Sequence, residues 1–302
     1  MPNIKQKAIR FALGQGGRVF PGLAGRAAFE LFCRTSDPSR PNAKEKAAIA
    51  RAAPVMQEAR HHRLRVSKGC VMAHQFRAGP GVLKQGRALV IHGWRSRTDL
   101  MALMIKDFTD HGWDCVGLDL PGHGGSSGRR LNLKLGVEAA NAAADWLGPF
   151  DLVIGHSFGG AIGVNAVTGA IAGTARLPAA RLVTISAPNS MPDLFTGVGR
   201  HFGLGMKAQA AMEARIHALA GRPLAEFVSS NQIKAFGGDV LVIHARDDRE
   251  VAFSEAEAMI KANPGIALKA FDGLGHRRII TAAGVFAAIL EFAQKASRAA
   301  AA

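Results

Sequence analysis

Leu152-Val153-Ile154-Gly155-His156-Ser157-Phe158-Gly159-Gly160-Ala161 joins a short apolar run to an alanine-rich helical stretch. Gly155, Ser157 and Gly159 spell G-x-S-x-G where a strand turns sharply into a helix. A serine hydroxyl is a poor nucleophile unless it projects from such a turn. There a base can reach it, and helix N–H groups can meet a developing oxyanion. Glycines on both sides let the backbone turn tightly and its neighbours approach. The strand before and the helix after set this apart from a chance match of three letters, so Ser157 is the candidate nucleophile.

Outward from this turn, short β-like runs alternate with longer helical ones. Strands are expected at 63–67, 70–76, 88–92, 114–119, 151–156, 181–187, 239–245 and 266–271. Helices are expected near 97–111, 133–147, 159–172, 253–262 and 279–296. Runs such as Ala88-Leu89-Val90-Ile91 and Val240-Leu241-Val242-Ile243 are continuously apolar, as parallel strands covered on both faces are. The alternation predicts an α/β fold with a mostly parallel, doubly wound sheet of about eight strands. The first two strands follow each other without a helix and read as an antiparallel edge pair. About fifty residues then separate 181–187 from 239–245, too many for a simple connection. They begin Pro188-Asn189-Ser190-Met191-Pro192, include a helical piece at 206–220, and read as an inserted helical cap. The expected divisions are an N-terminal helical extension (1–62), a core in two parts (63–188 and 235–296), the cap (189–234) and a disordered tail (297–302). A Pro/Ser-rich break over 36–48 follows the N-terminal helices.

The 302 residues suffice for a full core, and 48% hydrophobic with 20% charged residues excludes wholesale disorder. No window reaches the roughly 18–20 uninterrupted apolar residues of a membrane span. Cys33, Cys70 and Cys115 show neither a C-x-x-C nor a metal spacing, and read as reduced thiols of a cytoplasmic protein. Net charge is +15, from 38 Lys+Arg against 23 Asp+Glu. These basic residues are dispersed and not interleaved with aromatics, so no nucleic-acid partner is expected. Residues 1–29 carry no acid. Charges break their apolar runs before the ~7–15 residues of a secretory core, and no serine precedes Ser36 as a transit peptide would require. The segment reads either as a peripheral membrane contact or as helix packed on its own domain.

Four motifs together resemble a serine hydrolase of the α/β-hydrolase fold superfamily, esterase- or lipase-like with a helical cap. His92-Gly93-Trp94 follows a buried strand, as the family's oxyanion-loop His-Gly pair does. Asp119-Leu120-Pro121-Gly122-His123-Gly124-Gly125-Ser126 resembles its D-x-P-G-x-G-x-S turn. The elbow at Ser157 is the third motif. Asp248 and His276 follow the last two strands and complete the chain order Ser…Asp…His. The resemblance spans residues 63–296.

Eleven histidines compete for the role of base. His156 adjoins the serine, and His244 sits in an apolar strand. His61, His62, His201 and His217 lie in polar stretches that read as helical and exposed, and His123 belongs to the Pro-Gly turn. His276, on the glycine-bearing loop Gly273-Leu274-Gly275-His276 after a strand, stands where the superfamily places its base. Asp247 and Asp248 are adjacent carboxylates; the family pattern H-G-x-x-D-x-x-V selects Asp248, with Ala245 in place of the usual glycine. Phe158, at the helix start, and Trp94, after His92-Gly93, are the expected backbone N–H donors to the oxyanion. Trp94, Met191 and Phe195 are expected to line the substrate site. What the resemblance implies is cleavage of a carboxylic ester or thioester of a small to medium hydrophobic molecule through an acyl-enzyme, with no cofactor and no metal. Acyl transfer and carbon–carbon bond hydrolysis use the same three residues, and a non-catalytic binding protein would usually lose one of them. Dehalogenases and epoxide hydrolases of this fold need a carboxylate at the elbow, which Ser157 excludes.

Overall fold

The computed structural model describes residues 4–38 and 40–300. Eight strands form one sheet: β1 (Arg60–Val66), β2 (Gly69–Phe76), β3 (Gly86–Ile91), β4 (Trp113–Asp119), β5 (Phe150–His156), β6 (Ala179–Ile185), β7 (Asp239–Ala245) and β8 (Ala267–Phe271). Their order is β1-β2-β4-β3-β5-β6-β7-β8. β1 pairs antiparallel with β2 and β2 antiparallel with β4; every later pairing is parallel. Each expected strand is therefore present, including the antiparallel edge pair.

The helices are α1 (Ile4–Val19), α2 (Pro21–Cys33), α3 (Ala43–Gln57), α4 (Ala102–Asp110), α5 (Leu133–Leu147), α6 (Phe158–Thr168), α7 (Met191–Phe202), α8 (Met206–Ala220), α9 (Ser229–Gln232), α10 (Ser254–Ala262), α11 (Gly275–Arg278) and α12 (Ala283–Ala300). Among the described residues none is long and apolar enough to cross a membrane. α12 runs on to Ala300, so residues 297–300 of the expected tail are helical; 301–302 lie outside the described residues.

The period-2 geometry of a strand sends alternate side chains to opposite faces, and both faces here are buried. Leu152, Ile154, Val183 and Ile243 join Met104, Ile105 and Phe108 of α4 and Ile289 of α12 in one core cluster. Val153 and Leu182 meet α6 instead: a Cβ added at Gly163 would lie 3.4 Å and 3.3 Å from their methyl carbons. The strand order turns back between β3 and β5, and open α/β sheets bind ligands at the carboxyl ends of strands at such a switch.

The chain divides into two compact units, and the division differs from the sequence expectation. Residues 35–62 belong with the sheet. α3 begins inside the predicted break, where Asn42 accepts from the Glu45 N–H (3.0 Å) and Glu45 accepts from the Asn42 N–H (2.8 Å) in a capping box. It packs on α4. Residues 1–34 instead join 171–173 and 190–228 in a smaller helical unit. The N-terminal helices and the insertion therefore share one core. The reason is a close approach of α2 and α8. A Cβ at Gly25 would lie 2.2 Å from the Ala208 carbonyl oxygen and 2.7 Å from the Met212 nitrogen, so only glycine lets the two backbones meet. Ala24, Ala28, Phe29 and Cys33 of α2 and Ala208, Met212, Ile216 and Ala220 of α8 are buried, mostly small residues at helical spacing. An antiparallel bridge between Ser190 and Val228 closes the neck of the insertion, ending it six residues earlier than the expected 234.

Candidate active site

Burial of β5 between β3 and β6 delivers Ser157 to the carboxyl edge of the sheet at the switch point. Its backbone stands at φ 53°, ψ −124°, a conformation costly for any residue with a Cβ, of order 1–3 kcal/mol. The surroundings hold it there. The Ser157 N–H donates to the Ile185 carbonyl at 2.8 Å. A Cβ on Gly155 would lie 2.4 Å from the Gly159 oxygen, and one on Gly159 2.4 Å from the carbonyls of Ile91 and His92. The glycines of G-x-S-x-G thus let the first turn of α6 sit directly on the ends of β3 and β5.

His276 Nε2 lies 3.0 Å from Ser157 Oγ, and His276 Nδ1 lies 2.8 Å from Asp248 Oδ2. The carboxylate orders the imidazole: Nδ1–H donates to Asp248, leaving Nε2 to accept from the serine hydroxyl. The second oxygen, Asp248 Oδ1, accepts the N–H groups of Glu250 (2.8 Å) and Val251 (2.9 Å). Burial alone would raise the Asp248 pKa. The His276 hydrogen bond and the two backbone donors outweigh it and hold the carboxyl well below the usual range. Asp247 is exposed, and its Oδ1 accepts from the Gly275 N–H at 3.1 Å. It anchors the loop that carries the imidazole; Asp248 faces the ring.

His156 is buried, and its Nε2–H donates to the main-chain oxygen of His276 at 2.8 Å. Burial, with the neighbouring His276, pushes its pKa down to about 4, so it is a neutral strut. His244 is buried too and donates to the Val251 carbonyl at 3.0 Å, steadying the turn that presents Asp248. His201 and His217 are exposed on α7 and α8. His61 and His62 depart from expectation: they lie on the edge strand β1, where His61 Nδ1 stands 2.8 Å from His74 Nδ1 and His62 bonds Gln75.

The loop after β3 comes up against the serine. A Cβ on Gly93 would lie 2.9 Å from Ser157 Cβ. His92 Nδ1–H donates to the Gly93 carbonyl (2.7 Å) while its Nε2 accepts from the Leu120 N–H (3.0 Å). Burial, with His123 nearby, lowers its pKa to about 3, so the ring is neutral and keeps one acceptor. The half-buried Trp94 ring stands edge-on to Phe158, with centroids 5.2 Å apart. Asp119 fastens the neighbouring turn, accepting from the N–H groups of Thr98 (2.9 Å) and Gly125 (2.7 Å) and from His74 Nε2 (3.1 Å). Met191 and Phe195 are buried within the smaller unit, where the Phe195 ring packs on Phe29 and Phe32.

Residues 88–289 match the sequence profile of the Alpha/beta hydrolase family, two thirds of the chain. The chain belongs to that family. No curated protein matches it in sequence. Among solved structures, this α/β hydrolase is similar to Est1E from Butyrivibrio proteoclasticus with ferulic acid bound (17% identity, TM-score 0.63, covering 78% of this chain and 98% of that one). It is also similar to an esterase from Exiguobacterium antarcticum (14% identity, TM-score 0.58, 78% and 100%) and to a putative lipase from Acinetobacter baumannii (14%, TM-score 0.58, 86% and 98%). At these identities the likeness is one of fold.

Asp248 ties the site to stability. Its pKa is depressed on folding, so its contribution is present above the ordinary value of 3.8 and is lost as pH falls through the folded-state value. Unfolding free energies measured by denaturant titration should therefore fall more steeply below pH 4 in the wild type than in Asp248→Asn. Parallel curves would show that this carboxylate is not held as the geometry indicates.

Proposed function

We propose that this α/β hydrolase is a serine hydrolase that cleaves a carboxylic ester or thioester through an acyl-enzyme. One observation carries the reading: Ser157 Oγ, the two ring nitrogens of His276 and the Asp248 carboxylate form one hydrogen-bonded line, at 3.0 Å and 2.8 Å. In the reaction His276 Nε2 takes the Ser157 proton as Oγ attacks the substrate carbonyl. The ring becomes an imidazolium, stabilised by the already ionised Asp248. The N–H groups of Phe158, at the unpaired start of α6, and of Trp94 receive the oxyanion. His276 then returns the proton to the leaving alcohol or thiol. Water repeats the sequence on the acyl-enzyme, releasing the acid and restoring the serine. The half-buried Trp94 ring, backed edge-on by the buried Phe158, offers aromatic surface beside the oxyanion loop, which favours a small to medium hydrophobic acyl or aromatic ester over a sugar or a highly charged acid.

Labelling by a fluorophosphonate tests the nucleophile. The wild type should react, Ser157→Ala should not, and labelling of the alanine variant would refute the assignment. Against a panel of p-nitrophenyl esters, His276→Ala should lose several orders of magnitude in turnover. Asp248→Asn should lose far more than Asp247→Asn. Each added acyl methylene should raise kcat/KM by up to about fourfold from acetyl towards hexanoyl, the equivalent of ~0.8 kcal/mol per buried methylene. A flat profile, or equal losses for the two aspartates, would count against the substrate class or the acid respectively.

A further inference from the structure

We propose that the smaller unit docks on an anionic lipid surface through the turn between α1 and α2. Val19, Phe20 and Leu23 there are 69%, 62% and 67% exposed. A Cβ added at Gly22, between them, would meet nothing within 4 Å. The turn is not spare core. The buried face of α2 already packs on α8, with Ala208 against both Gly17 and Gly25. That packing sets Met206, 90% exposed and two residues before Ala208, at the same end of the unit. Six of the ten exposed large apolar side chains of the described residues lie in this unit, about a quarter of the chain, so their clustering is not a general property of the surface.

The surrounding charge selects the partner. Arg18, Arg26 and Lys207 are exposed around the tip, and the unit carries ten Lys+Arg against four Asp+Glu. Apolar side chains ringed by cations suit the boundary between acyl chains and acidic headgroups. A second copy of the chain would bring like charges together. Co-flotation with phosphatidylcholine vesicles, with and without phosphatidylglycerol, tests this on the full chain. The wild type should float with the acidic vesicles, less at high salt and less with the neutral ones. Phe20→Ser/Leu23→Ser and Arg18→Glu/Arg26→Glu should each weaken binding at least tenfold while leaving the melting temperature unchanged. The docking is overturned if the wild type floats with neither vesicle, if the variants float as well as the wild type, or if they instead dissociate a dimer in sedimentation.

A separate observation, resting on the hydrolase reading, concerns His123. We infer that it is a positioning residue for the Trp94 N–H. His92 holds the carbonyl of the Gly93–Trp94 peptide, and a trans peptide points its N–H the opposite way. The next N–H, of Arg95, donates to His123 Nε2 at 3.1 Å, while His123 Nδ1–H donates to the Pro121 carbonyl at 3.0 Å. Both peptides flanking Trp94 are thereby pinned, by two rings 5.3 Å apart. Arg95 needs the restraint, because its φ of 53° is in the left-handed region.

In His123→Leu, kcat on an ester should fall roughly ten- to a hundredfold with KM nearly constant, since the displaced donor acts on the oxyanion and not on the bound substrate. Affinity for a boronic acid, whose serine adduct is tetrahedral, should fall with kcat. His123→Gln, which keeps an acceptor, should recover most of both. Amide exchange at Arg95 should be slow in the wild type and in His123→Gln and fast in His123→Leu. Equal exchange in all three would overturn the brace whether or not the chain hydrolyses esters. Failure of the wild type to label at Ser157 would instead strike the hydrolase reading.

Discussion

The close approach of α6 to the ends of β3 and β5 is the constraint on which the candidate site rests. The first turn of that helix has no room for side chains at Gly155 or Gly159, and it forces Ser157 into a conformation that a residue with a Cβ adopts only when its surroundings impose it. The same approach leaves Gly93 against the serine and places the start of α6, with its unpaired N–H groups, beside it. Strand order does the rest. Because the sheet turns back between β3 and β5, the site falls at the carboxyl ends of these two strands, where open α/β sheets bind their ligands.

Around that site the protein uses histidine as a backbone fastener. His92, His123, His156 and His244 are all buried, and burial lowers the pKa of each. Each donates to a main-chain carbonyl: Gly93, Pro121, His276 and Val251 respectively. A neutral imidazole offers one donor and one acceptor about 2 Å apart on a rigid ring, so it can bridge two peptide groups that no hydroxyl would span. His276 differs in its partners, with a carboxylate on one nitrogen and a hydroxyl on the other. That difference, more than burial, marks it among the histidines of the site.

The smaller unit shows another use of glycine. Gly25 admits the α8 backbone where any Cβ would collide, and a largely small-residue seam on α2 and α8 then makes one core from two segments far apart in the chain. Bulkier side chains fill in beside that seam, with Phe195 packed on Phe29 and Phe32, while Val19 and Phe20 stand exposed at the turn.

Periodicity and turn chemistry, both local, were sufficient to locate the eight strands, to give α5 and α8 their observed limits at 133–147 and 206–220, and to set Ser157 in its elbow. α3 was legible too, in the capping pair Asn42 and Glu45, but the prolines nearby obscured it. What local pattern does not contain is which surfaces meet. Asp247 and Asp248 are neighbours with equal chemistry; the turn after β7 sends one carboxylate to the imidazole and the other to the Gly275 N–H. No spacing rule links His123 to Arg95, or residues 1–34 to 190–228. Those pairings come from shape: a ring of the right reach between two peptides, and a glycine where two helices would otherwise collide. Contacts of that kind exist only once the chain is folded, because they depend on the simultaneous position of segments that the sequence holds far apart.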